Sequence, residues 1–333
     1  MGSPKALSSR KLHAERHSPS GFKAAKAHIL KSMAARPTEP HFNPGRFPSA
    51  LTEKYYPKGL GLGVKLNVKR NDLVDRLRNK DDDDEASDLA SKLEACKRHQ
   101  RCLSAACPNC SHAAKAFATK VIRKFLRRHP DGDKIVCVSV VPLDGKIPKG
   151  KLTPDQHARN VRRWKEALGR AGVTWFIGVT DWSFNEHLDG RYEPSWQEHF
   201  YGFTATDDPK KLKKQLKKQF PKTDAIPRPV QVKVWDGDQA AIEYMLKTDF
   251  RRRIGTDEGQ RHEMDTTEKR ECRATDKQPL RKAEKHELRM HLDETGIQGR
   301  FVMRWLQFVR LGSRWTIVDR APNGRMRGNG GSV

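Results

Sequence analysis

The run Ile135-Val136-Cys137-Val138-Ser139-Val140-Val141 constrains this chain more than any other segment. Five of its seven residues are β-branched and only Ser139 is polar, so it reads as a strand buried on both faces. Such a strand needs neighbours in its own sheet and helices above and below it. The flanking periodicities supply both. Ala113, Ala116, Phe117, Val121, Ile122 and Phe125 fall at helical spacing up to Arg128, and His129-Pro130-Asp131-Gly132 stops that helix. Thr153-Pro154 opens a second helix through Val161, Trp164 and Leu168, ended by Gly172. Strands are predicted over 173–184 and 195–204, joined as a hairpin by Leu188-Asp189-Gly190-Arg191. Asp208-Pro209 caps a very basic helix, a fourth strand alternates Val230, Val232 and Val234, and Asp236-Gly237-Asp238 leads into a helix carrying Tyr244. The expectation is an α+β fold, a central antiparallel sheet with flanking helices.

Composition sets the boundaries around that domain. Hydrophobic residues are only 35% of the 333, so part of the chain is expected to stay unpacked. Residues 1–90 interleave Pro, Ser, His and Lys and end in the acidic run Asp81 to Glu85, which predicts a mostly disordered basic and acidic region. A Cys-rich element with its helix is expected over 91–130, the main domain over 131–255 and a charged linker over 256–282. Leu288, Met290, Leu292, Ile297, Phe301, Trp305 and Phe308 predict a small helical segment over 283–320, before a disordered tail at 321–333.

Lys and Arg total 66 against 41 Asp and Glu, a formal net charge of +25. That excess favours a polyanionic partner, nucleic acid ahead of membrane, and no small-molecule substrate is indicated. A merely basic or ribosome-associated protein would carry the same excess. No apolar run reaches the ~18 residues that span a bilayer. The basic N-terminus has no apolar stretch, so neither a secretory signal nor a membrane role is expected. A cytoplasmic protein with reduced thiols follows, in which clustered cysteines read as metal ligands rather than disulfides.

Cys96, Cys102, Cys107 and Cys110 are spaced C-x5-C-x4-C-x2-C. The Cys107-Pro108-Asn109-Cys110 knuckle puts two thiolates on one turn, as tetrahedral Zn²⁺ requires. Four sulfurs would close the shell, so the expected role is structural, with His99 or His112 as substitutes for one sulfur. The alternative is four free thiols. Cys137 and Cys272 read as inert.

Tyr244 and Lys247 stand three residues apart, one face of a helix. A Lys ammonium beside a phenol stabilises the phenolate and can hold a phosphate against the attacking oxygen. Arg251, Arg252 and Arg253 follow, placed to grip a phosphate backbone. Lys210, Lys211, Lys213, Lys214, Lys217 and Lys218 make the preceding basic helix a second candidate for that contact, although any solvated helix face would look the same. His199 and Tyr201 share one face of their strand while Phe200 points to the core. A His there can bind a hard cation that polarises a phosphate, with Asp181, Glu186 and His187 nearby on the hairpin. By itself, Tyr-x-x-Lys is equally a half-buried tyrosine beside a solvated lysine.

In order and spacing these stations resemble the HUH endonucleases, in particular the rolling-circle replication initiators of plasmids and phages. The matching residues are the apolar strand at 135–141, Asp181, His199-Phe200-Tyr201, and Tyr244 with Lys247; the Cys102 to Cys110 stretch resembles the Cys-rich lead-in of several plasmid initiators. The likeness covers roughly residues 96–253. It implies an HUH/RRM-like palm, attack of Tyr244 on single-stranded DNA, and a Mg²⁺ or Mn²⁺ ion held by His199 and an acidic residue. It also implies single-stranded or origin DNA and a host helicase as partners, in a bacterial cytoplasm.

One station departs from the pattern: Tyr201 stands where the family has its second histidine, and a neutral phenol is a poor ligand for either ion. Either Asp181, Glu186 or His187 completes the cation site, or the ion is held weakly, or cleavage is lost and only binding survives. Tyr201 also reads as a core-facing aromatic. The alternatives to a nicking and joining initiator are a related single-strand transposase, a non-catalytic zinc-containing nucleic-acid-binding protein, and an RNA- or ribosome-associated protein.

Overall fold

A computed structural model describes residues 60–79, 83–255 apart from 189, 191, 224 and 225, and 275–319 apart from 312 and 313. Its centre is the predicted apolar run, strand β1 (Ile135–Val140), in which only Ser139 is not fully buried. It lies between β4 (Ser195–Ala205) and β5 (Val230–Val234), antiparallel to both. Next to β4 runs β3 (Phe176–His187), and β6 (Arg251–Gly255) and β7 (Thr275–Pro279) complete the path β5-β1-β4-β3-β6-β7. Two short strands fill the remaining edges: β2 (Lys146–Pro148) pairs with β4, and β8 (Phe301–Arg304) pairs with β3. The expected antiparallel sheet is in fact mixed, because β6 runs parallel to β3.

Register assigns the two faces, since residues directly opposed across strands share one. On the first face Val136, Val138, Val140, Phe176 and Phe200 pack with Trp164 and Leu168 of α4 (Pro154–Arg170) and with Leu212 and Leu216 of α5 (Pro209–Gln219). Gly178 and Gly202 oppose one another here. A Cβ on either would lie within 2.6 Å of the Phe176 ring, so glycine lets that ring lie flat on the sheet. The second face carries Cys137, Ser139, Asp181, His199 and Tyr201. Toward it lie α3 (Pro108–Arg128) and α6 (Gln239–Met245), which pack on each other, with α6 also meeting β4.

Outside the sheet, order exceeds expectation. Residues 60–78 and 84–90 are helical rather than disordered, forming α1 (Leu60–Arg78) and the start of α2 (Asp84–Glu94). Apolar knots too short to fold alone combine: Leu73, Val74 and Leu77 are buried together with Leu89, Ala90 and Leu93 as the two helices pack. Asp83, within the acidic run, is the N-cap of α2, its Oδ1 accepting the Ala86 amide at 2.9 Å. Residues 1–59, the linker at 256–274 and the tail at 321–333 lie outside the described residues, whereas 275–279 of that expected linker form β7.

The C-terminal segment is only half helical. After α7 (Lys282–Gly299) come β8, β9 (Leu306–Leu311) and β10 (Arg314–Asp319), the last two forming a separate ribbon. Phe301, Trp305 and Phe308 stand at helix-like intervals, but the residues that bury are Val302, Met303, Leu306, Val309 and Ile317 with Phe308. Trp305, at φ 56°, turns the chain between two strands. No described helix is long and apolar enough to cross a membrane.

Candidate active site and metal centre

Asp181 and His199 face each other across β3 and β4, with His199 Nε2 3.1 Å from Asp181 Oδ2. The same carboxylate oxygen lies 2.6 Å from Lys247 Nζ. Burial alone would push the Asp181 carboxyl up, but His199 and Lys247 outweigh it and hold it down to about 2. Its other oxygen, Oδ1, is buried with no hydrogen-bond partner. An ionised carboxylate with one orphaned oxygen fits an exogenous cation or donor.

Tyr244 sits beside this pair. Its helix α6 is capped by Asp238, whose side chain accepts the Ala240 amide at 2.9 Å, and it buries Ile242 and Met245. Tyr244 is 57% exposed and its ring packs edge-on against Tyr201, centroids 5.6 Å apart. Lys247 is not on the helix, which ends at Met245; the turn after it (Lys247 N–H to Tyr244 O, 3.2 Å) brings Nζ to 4.9 Å from the Tyr244 ring centre. Tyr244, Lys247, Asp181 and His199 therefore form one contiguous cluster on the second face.

The other proposed cation ligands separate. Glu186 has the strand parity of Phe184, not of Asp181, so it points to the opposite face, where Arg252 and Arg281 hold it at 2.9 Å. His187 shares the face of Asp181 but lies six residues along the strand, about 20 Å at the usual rise, against Tyr192. Both belong to β3 rather than to the turn, because the strand runs three residues further than predicted. Tyr201 is in place beside His199, but its phenol hydrogen-bonds the Cys137 thiol, and burial together with that thiol pushes its pKa up, so it stays neutral.

The basic candidates divide too. α5 packs on the first face through Leu212 and Leu216, which puts Lys210, Lys211, Lys213, Lys214, Lys217 and Lys218 on the side of the sheet away from Tyr244. Arg251, Arg252 and Arg253 lie on a strand, not one helical turn beyond Tyr244. Alternation then sends Arg252 to Glu186 and leaves Arg251 and Arg253 on the face of Asp181.

Two buried groups gave no sequence signal. Arg300, next to α7, donates from Nη2 to the carbonyls of Lys247 (3.1 Å) and Thr180 (3.5 Å) and stacks its guanidinium 5.4 Å from the Phe250 ring centre, fixing the turn that carries Lys247. Behind His199, fully buried Glu198 is held by His157 and by Asn160 Nδ2 (2.8 Å), and His157 Nε2 bonds the Gly299 carbonyl at 2.9 Å. A single Arg in a charged segment and a Glu in a strand look solvated until the fold buries them.

The four cysteines converge. Sulfur–sulfur distances are 3.5 Å (Cys96–Cys110), 3.6 Å (Cys102–Cys110) and 3.8 Å (Cys96–Cys107), and all four lie within 4.8 Å of one another. Sulfurs about 2.3 Å from a tetrahedral ion stand about 3.8 Å apart, so the cluster could hold a metal such as zinc. Hydrogen bonds among the sulfurs pull the Cys96 and Cys110 thiols below their ordinary value and, with burial, push Cys102 and Cys107 above it. Cys107 is the N-cap of α3 and Cys110 lies on its first turn, which ties the centre to that helix.

Comparison with models of known protein families, with curated proteins and with solved structures found no match.

Proposed function

We propose that this chain nicks and rejoins single-stranded DNA through a covalent link to Tyr244, and that it initiates rolling-circle replication of a plasmid or phage. The observation that carries the reading is the cluster itself: an exposed tyrosine whose ring touches Tyr201 and Lys247, with Lys247 bound to a buried Asp–His pair. Tyr244 Oη loses its proton and attacks a backbone phosphorus, the bond to the 3′ oxygen breaks, and that oxygen takes up a proton to leave a 3′-OH. The result is a 5′-phosphotyrosine, and the reverse step rejoins the ends. Lys247 steadies negative charge on the phosphoryl oxygens and keeps the carboxylate of Asp181 ionised.

Asp181 and His199 would hold Mg²⁺ or Mn²⁺. Two protein ligands suffice for such ions when water and phosphate oxygens complete the shell, and the orphaned Asp181 Oδ1 suits that role. Bound there, the ion would supply Lewis-acid stabilisation of the phosphate. Zinc at the four cysteines, its shell closed by sulfur, would be structural. Single-stranded or origin DNA is the partner this reading implies, with a host helicase downstream.

A labelled single-stranded oligonucleotide incubated with protein and Mn²⁺ tests the reading. A covalent adduct absent from Tyr244→Phe supports it. The neutral Tyr201 and the removal of Glu186 and His187 from the site favour a second reading, a zinc-containing nucleic-acid-binding protein without cleavage. Binding without an adduct under any divalent cation would decide for that one.

A further inference from the structure

We propose that the cleft between α3 and α6 is a phosphate-gripping subsite that carries single-stranded DNA to Tyr244. Its direction rests on the reading of Tyr244 given above; its capacity to bind does not.

The cleft encloses about 830 Å³. Lys115, Lys120, Arg123, Lys124, Arg127 and Arg128 line it, all from α3, which contains no acidic residue. Lys120, Lys124 and Arg128 stand at successive four-residue intervals, and so do Arg123 and Arg127. Like charges at that spacing repel, and a helix gains nothing from them unless an anion lies alongside. The single acid in the cleft, Glu243, is turned to Gln239, whose Nε2 donates to it at 2.6 Å. Gln239 in turn accepts from Arg123 Nη1 at 2.6 Å. The other five cations make no side-chain hydrogen bond or ion pair among the described residues.

A second, independent feature points the same way. Thr119 lines the cleft at 7% exposure, and its buried Oγ1 has no hydrogen-bond partner; Arg123 Nε is likewise buried and unpartnered. Two stranded polar groups among six cations match the oxygen acceptors of a phosphodiester. His112 is the one ring that lines the cleft, so successive bases find no row of stacking platforms there. Contact would run through the backbone and would not read sequence.

Geometry links the cleft to the nucleophile. On α6, Gln239 and Glu243 are four residues apart and form the wall of the cleft, while Ile242 and Met245 bury. Tyr244 follows Glu243 by one residue, on the adjoining exposed strip of the helix. The α5 lysines have no such connection, because they lie across the sheet.

Full-length protein in a Tyr244→Phe background, which cannot cleave, would be titrated against fluorescein-labelled oligothymidine by anisotropy over a range of KCl. In Lys120→Gln/Lys124→Gln/Arg127→Gln, affinity should fall about tenfold or more, and the slope of log K against log salt should shrink by about 2, near 0.7 per lost phosphate contact. The matched Lys213→Gln/Lys214→Gln/Lys217→Gln on α5 should leave both unchanged, and a melting curve checks that each variant stays folded. The single variant Lys120→Glu, at an exposed position, should weaken binding in the same direction. Unchanged binding in the α3 variants, an equal loss in the α5 variant, or tighter α3-dependent binding of a duplex would each overturn the proposal. The two readings fail separately: an adduct from wild-type protein with unaltered α3-variant binding sinks only the cleft, and α3-dependent binding with no adduct sinks only the nuclease.

Discussion

Lys247 Nζ lies 2.6 Å from Asp181 Oδ2, joining a residue of the turn after α6 to the middle of β3. Spacing alone pairs Lys247 with Tyr244. The fold gives it a second partner, so one ammonium serves both the tyrosine ring and the buried carboxylate.

Lys247→Met is therefore expected to act twice. Covalent adduct formation with single-stranded DNA should drop by at least tenfold. Stability should also fall by about 1–3 kcal/mol, because a buried carboxylate loses a charged partner. Urea unfolding read beside the adduct assay separates the two, and Lys247→Arg should restore stability further than activity, the planar fork replacing a point charge. Unchanged urea unfolding in Lys247→Met would mean that the ion pair is not made in solution.

Purified protein is expected to carry one zinc per chain, measured by elemental analysis. Cys102→Ser and Cys110→Ser should each lose most of it, and chelation should lower the melting temperature by several degrees, since Cys107 and Cys110 fix the start of α3. Full melting temperature after complete removal of the metal would show that sulfur packing alone holds that helix.

Much of this was legible in the residues because local chemistry dictates it. The β-branched run at 135–140, the Thr153 and Asp208 caps with their following prolines, and the Cys knuckle all sit where spacing placed them. The misses share a cause, which is that partners distant in sequence decide them. Glu186 reads as a ligand beside Asp181 until three further residues of strand fix its parity and turn it to Arg252 and Arg281. The α5 lysines read as a DNA track until Leu212 and Leu216 commit that helix to the first face. Arg300 and Glu198 carry no local mark of burial; only the arrival of α7 and α4 encloses them.

The pH dependence of stability should show two limbs with different owners. Burial holds His291 down to about 3, against an ordinary value of 6.5. Between pH 6.5 and about pH 5 the unfolded chain takes up a proton there that the folded chain refuses, so stability falls on acidification by about 2 kcal/mol. His157 has the opposite sign. Burial disfavours its charged ring, but Glu198 outweighs that and holds its pKa above the ordinary value. Its contribution is complete below about pH 6.5 and is lost as pH rises through the folded value. Urea midpoints across this range should lose the acid limb in His291→Phe and the alkaline limb in His157→Gln. An unaltered acid limb in His291→Phe would assign it elsewhere.

The strongest test of the cation site is to supply what the strand lacks. Tyr201 is two residues from His199 on the same face, where Asp181 stands opposite His199 and the Tyr244 ring packs against Tyr201. The phenol is neutral and committed to Cys137, so it adds no ligand. An imidazole at that position would stand beside His199 and Asp181 as a third donor to the proposed ion. Tyr201→His is expected to tighten Mn²⁺ binding about tenfold, equivalent to about 1.4 kcal/mol. Calorimetric titration in the Tyr244→Phe background measures this without cleavage. Adduct yield in the Tyr244 form should rise in parallel and saturate at lower Mn²⁺. If Mn²⁺ affinity stays at the parent value, Asp181 and His199 are not ligands of the ion, and their pairing serves only to hold Lys247.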